Sequence, residues 1–285
     1  MSLFKQIISL LLIAILLSNC TEQTDLGIDQ QDYARLVVDG QLTTSLGRNG
    51  IQLTITGDYL NSQTATPVCG AVVYVVSDKG DHITFTEDTQ KGYYIPDSEI
   101  VGVVGVKYQL KICLAEEIGG QAYFESSEQE LQMSIKPDSI QLKYNKPGKR
   151  WIIKAFLQDS IGEGFYCFTI FRNGVLISDS IHELSLWDHY HLNGNHGGGI
   201  NVQQLDCTKA EASIRPGDEI TLEVKSITEQ YYHFLKEYQK QLNGADPMFS
   251  GPSANISSNI NNGAIGFFSV YSSKRVSKVF TAVLE

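Results

Sequence analysis

The sequence predicts a mainly β protein: a small β-sandwich over residues 33–135, then a second β-rich domain over residues 136–285 with one amphipathic helix at about 227–242. Three observations predict it. Short runs alternate apolar and polar residues with period two, turn-forming pairs separate those runs, and a single stretch switches to helical spacing.

The chain opens on a different pattern. Lys5 supplies a positive charge, and residues 7–17 (IISLLLIAILL) form an unbroken apolar run that leads directly to Leu17-Ser18-Asn19-Cys20. This is the layout of a secretory signal, and the run is too short for a membrane-spanning helix of about 20 residues. A small-residue site ending in Cys resembles the bacterial lipobox, so residues 1–19 are expected to be cleaved and Cys20 to carry the lipid. Asn19 stands where Gly or Ala is usual, and the alternative is an ordinary signal peptide with a coincidental Cys. Two or more acyl chains hold a protein stably on a bilayer, each buried methylene contributing about 0.8 kcal/mol. Residues 20–32 are polar and mildly acidic and read as a lipidated tether.

In the first domain Ile51, Leu53 and Ile55 share one face of an alternating run, as do Val106, Tyr108, Leu110 and Ile112. Both read as half-buried strands with one wet face. Residues 71–76 (AVVYVV) are apolar throughout and predict a more central strand. Asp78-Lys79-Gly80-Asp81 supplies a turn into the alternating run from His82 to Glu87.

The pattern breaks at Lys136-Pro137-Asp138, and Asn145-Lys146-Pro147-Gly148 has loop composition, which places the domain boundary there. Strands follow at residues 151–157 and 219–225. A hairpin spans residues 164–178, turning on Asn173-Gly174, a pair suited to positive φ angles. Ile227, Tyr231, Phe234, Leu235, Tyr238 and Leu242 then recur at helical spacing opposite Glu237, Lys240 and Gln241. Ser226-Ile227-Thr228-Glu229 fits a capping box, and Asn243-Gly244 fits a left-handed stop.

Apolar content of 42% supports real cores, and 19% charge is too little for disorder. A formal net charge of −10 without a Lys/Arg cluster argues against nucleic acid as a partner. Beyond Cys20, an oxidising compartment permits Cys69–Cys113 and Cys167–Cys207 bridges; unpaired cysteines packing as small core residues are the other reading.

The candidate chemistry is sparse. His182, His189, His191 and His196 cluster beside Glu183, Trp187 and Asp188. On an extended segment His189 and His191 point to the same side, and His196 or Asp188 completes a set suited to zinc, copper or iron. The opposing reading is a solvated loop, because the segment is rich in Asn and Gly and lacks an HExxH spacing. Asp159 and Glu163 form a glycosidase pair only if folding sets their separation. Trp187 and Tyr190 are aromatic candidates for a sugar-stacking or partner surface. Asp138-Ser139-Ile140, Asp159-Ser160-Ile161 and Asp179-Ser180-Ile181 match a loose O-glycosylation pattern. The sequence has no GxSxG elbow, and Gly194 to Gly199 does not precede a helix at phosphate-loop spacing.

Several stretches in order carry a family resemblance: residues 36–40 (LVVDG), Gly92-Tyr93-Tyr94 ahead of Tyr108-Gln109-Leu110, Phe165-Tyr166 with Arg172-Asn173-Gly174, Gly217-Asp218, and residues 258–268 (SNINNGAIGFF). Behind a lipoprotein signal they resemble the Bacteroidota outer-membrane lipoproteins catalogued as domain of unknown function 4249. The resemblance implies an immunoglobulin-like or carboxypeptidase-regulatory-like first domain, and a place beside TonB-dependent receptors. It assigns no catalytic residues. The expectation is a non-enzymatic cell-surface accessory of a TonB-dependent nutrient transporter, anchored in the outer membrane through Cys20 and binding a small molecule, glycan or peptide. No cofactor is expected beyond the covalent lipid, apart from a metal at His189, His191 and His196. The alternatives are a surface adhesion module and, behind it, a metal-dependent surface hydrolase. The stretch 258–268 has a structural reading of its own, since Gly263 and Gly266 permit tight turns and asparagine amides bond to loop backbone.

Overall fold

The alternating runs pair into two sheets. The computed structural model describes residues 34–56, 65–157, 164–177, 181, 184–189, 199–206, 214–242 and 256–281. The first half supplies β1 (Leu36–Thr43), β2 (Gly50–Ile55), β3 (Thr66–Pro67), β4 (Val72–Ser77), β5 (His82–Glu87), β6 (Tyr93–Pro96), β7 (Lys107–Ile118), β8 (Gln121–Glu125) and β9 (Gln129–Glu130). The second supplies β10 (Pro137–Asn145), β11 (Arg150–Leu157), β12 (Phe165–Arg172), β13 (Val175–Leu176), β14 (Ser185–Asp188), β15 (Ile200–Asp206), β16 (Glu219–Ile227), helix α1 (Glu229–Leu242) and β17 (Ile265–Val279). Among the described residues fourteen strands share one sheet, ordered β13-β12-β16-β17-β1-β2-β6-β5-β4-β7-β8, with β14, β3 and β9 attached to β12, β2 and β7. The other sheet is β10-β11-β15. The protein is therefore mainly β with a sandwich-like layout.

The first core takes one face of each alternating run. Leu36, Val38 and Leu42 of β1, Ile51 and Leu53 of β2, Val73 and Val75 of β4, Phe85 of β5, Leu110 and Ile112 of β7 and Phe124 of β8 pack into a single cluster. The big sheet must fold over on itself to bring them together. Val106, Tyr108, Leu110 and Ile112 all point inward as expected. The run at 71–76 is an interior strand, as expected: β4 lies between β5 and β7, although Val72 is 59% exposed. Central position in a sheet covers a strand's edges, not both of its faces.

The second core lies between the two sheets. Ile140, Trp151, Ile153, Ala155, Ile200 and Val202 of the small sheet face Tyr166, Phe168, Ile170, Ile220, Leu222 and Val224 of the large one. Trp151 meets Phe280 edge-on at 4.9 Å between centroids. Asn173 (φ 51°) and Gly174 (φ 82°) make the expected tight turn between β12 and β13. The break at Lys136-Pro137-Asp138 falls at the start of a strand, Pro137–Asn145, that pairs along β11, and the loop composition at Asn145-Lys146-Pro147-Gly148 corresponds to the turn between the two strands.

The segment around residue 135 separates the two cores, with Leu131 in the first and Ile140 in the second. The C-terminal stretch crosses that division. Ile260, Ala264, Phe268 and Val270 belong to the first core, although the sequence placed them with the second half. The cause is β17, which pairs antiparallel with β16 and parallel with β1, from Val37↔Ile265 to Thr43↔Tyr271. Residues 34–285 accordingly form one compact unit.

Helix α1 lies on the other face of the large sheet, over Cys167, Leu186, Ile227 and Tyr271, burying Tyr232 and Leu235. It starts later than the expected capping box. Ser226 and Ile227 are still in β16, and the cap is Thr228, whose Oγ1 accepts from the Tyr231 N–H at 3.3 Å. Leu242, expected on the apolar stripe, is 47% exposed. No helix among the described residues is long and apolar enough to cross a membrane.

Gly266 is where β17 comes closest to β1. Its φ is 98°, and a Cβ there would sit 2.0 Å from the Val38 carbonyl oxygen. Gly266→Ala is expected to cost about 3 kcal/mol or more, from positive-φ strain and the forced separation of two paired strands. Equilibrium denaturation checks this; an unchanged midpoint would show that the two strands can part without penalty.

Candidate functional site

Residues 258–268 are built from asparagine clamps. The Asn259 amide pairs with the backbone of Phe268 in β17, donating from Nδ2 to its carbonyl and accepting its N–H on Oδ1, both at 2.9 Å. Asn261 copies a strand pairing against β8: its N–H donates to the Glu125 carbonyl at 3.0 Å, and its Oδ1 accepts the Glu125 N–H at 2.9 Å. Asn262 donates to the Tyr123 carbonyl at 2.8 Å. Ser127 N–H donates to the Asn259 carbonyl at 2.7 Å, and Ser126 bridges Ile260. Short amide side chains suit this work, since each offers a donor and an acceptor within reach of the backbone. The loop thereby ties the last strand of the protein to the first core.

A cavity of about 570 Å³ opens between this loop, β7–β8 and the first turns of α1. Gln109, Glu125, Ser127, Gln230, His233 and Phe267 are among its lining residues. Gln230 Oε1 accepts from Gln129 Nε2 at 2.7 Å and from Ser127 Oγ at 3.1 Å, and Gln129 Oε1 accepts from Thr228 Oγ1 at 2.7 Å. Gln109 Nε2 donates to the Ser126 carbonyl at 2.8 Å. Gln230 Nε2 and Gln109 Oε1 face no protein partner among the described residues. Glu125 pairs with Lys111, which holds the lysine above its ordinary pKa. His233 lies 3.6 Å from Glu229. Glu237 closes the outer wall by accepting the Ser257 N–H at 2.8 Å and its Oγ at 2.7 Å. Those two bonds, the backbone one first, hold the Glu237 carboxyl below the usual glutamate range. The cleft thus presents amide and carboxylate groups around a partly aromatic wall, which equips it to bind a polar ligand by hydrogen bonds.

The residues singled out in the sequence fall elsewhere. His189 directly follows β14, its N–H donating to the Gly164 carbonyl at 3.0 Å. His182, Tyr190, His191, His196, Asp159, Glu163, Cys20 and Cys207 lie outside the described residues. Among the described residues no group of three or more His, Cys, Asp or Glu is placed to hold a metal. Trp187 packs against the second core and donates from Nε1 to Ser185 Oγ at 2.8 Å. Ser139 is exposed on β10.

The Cys69–Cys113 bridge is corrected: both are exposed free thiols. Cys113 stands on β7 opposite Val72 and Tyr123, whereas Cys69 precedes β4 and bonds to Glu87. Cys167 is a buried free thiol on β12, opposite Lys225 and Leu186. Burial pushes Cys167 up to about 11, and the hydrogen bond to Glu87 raises Cys69, so both stay protonated at neutral pH. The sequence reading missed Gln109, Ser127, Gln129, Gln230 and His233. No local signal marks them, because they come together only when α1 docks beside β7–β9.

Two expectations follow from this geometry. Asn261→Ala removes the acceptor of the Glu125 N–H and should lower stability by about 1–2 kcal/mol, with faster hydrogen exchange at the Glu125 amide; unchanged exchange there would count against the clamp. Because the folded Glu237 pKa lies below its unfolded value, the tie to Ser257 is fully present above the ordinary glutamate range. It is lost as pH falls through the lowered folded value. An NMR titration following the Ser257 amide should therefore show its inflection below the ordinary glutamate pKa, and an inflection at that pKa would mean the tie is absent in solution.

Comparison with known proteins fits these features into one group. No curated protein matches the chain. A family model does match, over residues 21–277, which takes in both cores, the helix and the asparagine loop. The chain belongs to the family described as domain of unknown function (DUF4249).

Proposed function

We propose that this protein is a non-enzymatic lipoprotein of a bacterial outer membrane, tethered through Cys20, that serves a TonB-dependent transporter at the cell surface by holding a polar nutrient or its fragment. The observation that carries the reading is the apolar leader ending at Cys20, with the family match beginning at the next residue, 21. A lipid on that sulfur would confine the folded part to an envelope surface. The cleft beside the asparagine loop supports a binding role. Its amides are held in place by a hydrogen-bonded network from three elements, and such preorganisation reduces the ordering cost of capture. The Bacteroidota setting and the neighbouring receptor come from the resemblance carried by residues 36–40 and 258–268.

Two measurements test this. Mass analysis of the mature protein from native membranes should find acyl chains on a leading peptide that begins at Cys20, and Cys20→Ala should release the protein from the membrane fraction. Affinity purification from detergent-solubilised outer membrane should recover a TonB-dependent receptor. Repeated recovery of the protein by itself would overturn the transporter role, and an unmodified leading peptide would remove the anchor.

A further inference from the structure

A second polar cluster lies on the helix-bearing face of the large sheet, outside the cleft. Register sets it: Thr169 of β12, Glu223 of β16 and Arg275 of β17 stand side by side in one row across three paired strands. Glu223 is buried, its side chain only 1% exposed. Its Oε1 accepts from Arg275 Nε at 3.0 Å and from Arg48 Nη1 at 2.5 Å, Thr169 Oγ1 donates to Oε2 at 3.3 Å, and Lys225 Nζ lies 3.9 Å away. Arg48 comes from the β1–β2 loop, and that loop is itself pinned. Gln41 Nε2 donates to the Arg48 carbonyl at 2.8 Å, and Asn49 Oδ1 accepts the Thr43 N–H at 2.7 Å. The two guanidinium groups flank the Phe171 ring, with Arg275 at 4.3 Å and Arg48 at 5.7 Å from its centroid.

The charges do not balance. Among the described residues three cations converge on one carboxylate, leaving two positive charges in a protein whose net charge is −10. One ion-paired arginine would neutralise Glu223, and each further cation brought to the same place is repelled by the first. The carboxylate is sealed, but the Arg48 and Arg275 side chains remain 30% and 42% exposed. Glu223 therefore acts as a peg that holds two guanidinium forks together while using one nitrogen of each. Among the described residues no partner takes the remaining N–H groups, which are placed to meet an anion. Planar forks fixed by a ring and a buried carboxylate match the bidentate geometry of carboxylate and phosphate.

We propose that Arg48 and Arg275, backed by Lys225, form a binding site for an oxyanion, the carboxylate or phosphate group of a ligand from outside the protein. The site is separate from the cleft: Phe267, which lines the cleft, and Arg275 are eight residues apart on β17, roughly 26 Å along the strand. It does not depend on the anchor or on a transporter.

Calorimetric titration of the full-length mature protein with sodium phosphate and with sodium succinate, each against sodium chloride at equal ionic strength, tests the proposal. Saturable binding of either oxyanion is expected, and whichever binds more tightly identifies the source group. Arg275→Gln should weaken that binding about tenfold or more, the loss of a charge-assisted fork. Glu223→Gln should tighten it several-fold, because a competing negative charge disappears beside the same cations; a purely structural cluster gives no such gain. Should Glu223→Gln fail to fold, the exposed Arg275→Gln variant decides by itself. Heats equal to those of chloride, or an affinity unmoved by Arg275→Gln, would overturn the assignment.

Discussion

Strand β17 is the member on which the rest of the protein hangs, because it is hydrogen-bonded to both halves at once. On one side it continues β16 and the second core, and on the other it runs parallel to β1 and feeds Phe268 and Val270 into the first core. Its partner in β1 is more than two hundred residues away in the chain, so closing that pair costs loop entropy that only extensive burial can offset. Each fully buried side chain of this size contributes on the order of 1.5–3 kcal/mol, and β17 supplies Phe268 and Val270 to the first core and the half-buried Val276 to the second. The two cores are thus parts of one body.

The asparagine loop makes that closure specific. A strand arriving late at the edge of β1 could slip by one residue, which would turn Phe268 and Val270 away from the core. Asn259 fixes the turn leading into β17, Asn261 and Asn262 fix the loop to β8, and Gly266 fits only where its backbone meets Val38. Asn259 and Asn261 also line the cleft. One segment therefore both holds the strand and walls the cavity, and its carbonyls and amides give the cleft its rigidity.

The helix face carries the second feature that one strand order creates. Setting β12, β16 and β17 side by side stacks Thr169, Glu223 and Arg275 in a row, and setting β1 beside β17 swings the β1–β2 loop and Arg48 over the same carboxylate. Burial of Glu223 is tolerable only with these partners in place. The cluster also ties the β1–β2 loop of the first half to strands of the second.

Local pattern settled the strands and the helix. Alternation at Ile51–Ile55 and Tyr108–Ile112 reported the inward face correctly because a half-buried strand must repeat every two residues, and Asn173-Gly174 reported its hairpin because few other pairs tolerate two positive φ angles. The apolar run at residues 7–17 and the Cys20 that follows it are likewise legible in the sequence alone. The strand Pro137–Asn145 was not legible between the break at Lys136-Pro137-Asp138 and the turn after Asn145, since its Pro and polar residues mask a strand that only its pairing with β11 stabilises. The cleft, the free state of Cys69 and Cys113 and the Glu223 cluster were decided by tertiary structure. Each joins residues from strands whose neighbours are far apart in the chain, and the free energy that selects those neighbours comes from shared burial, which no local run of residues contains.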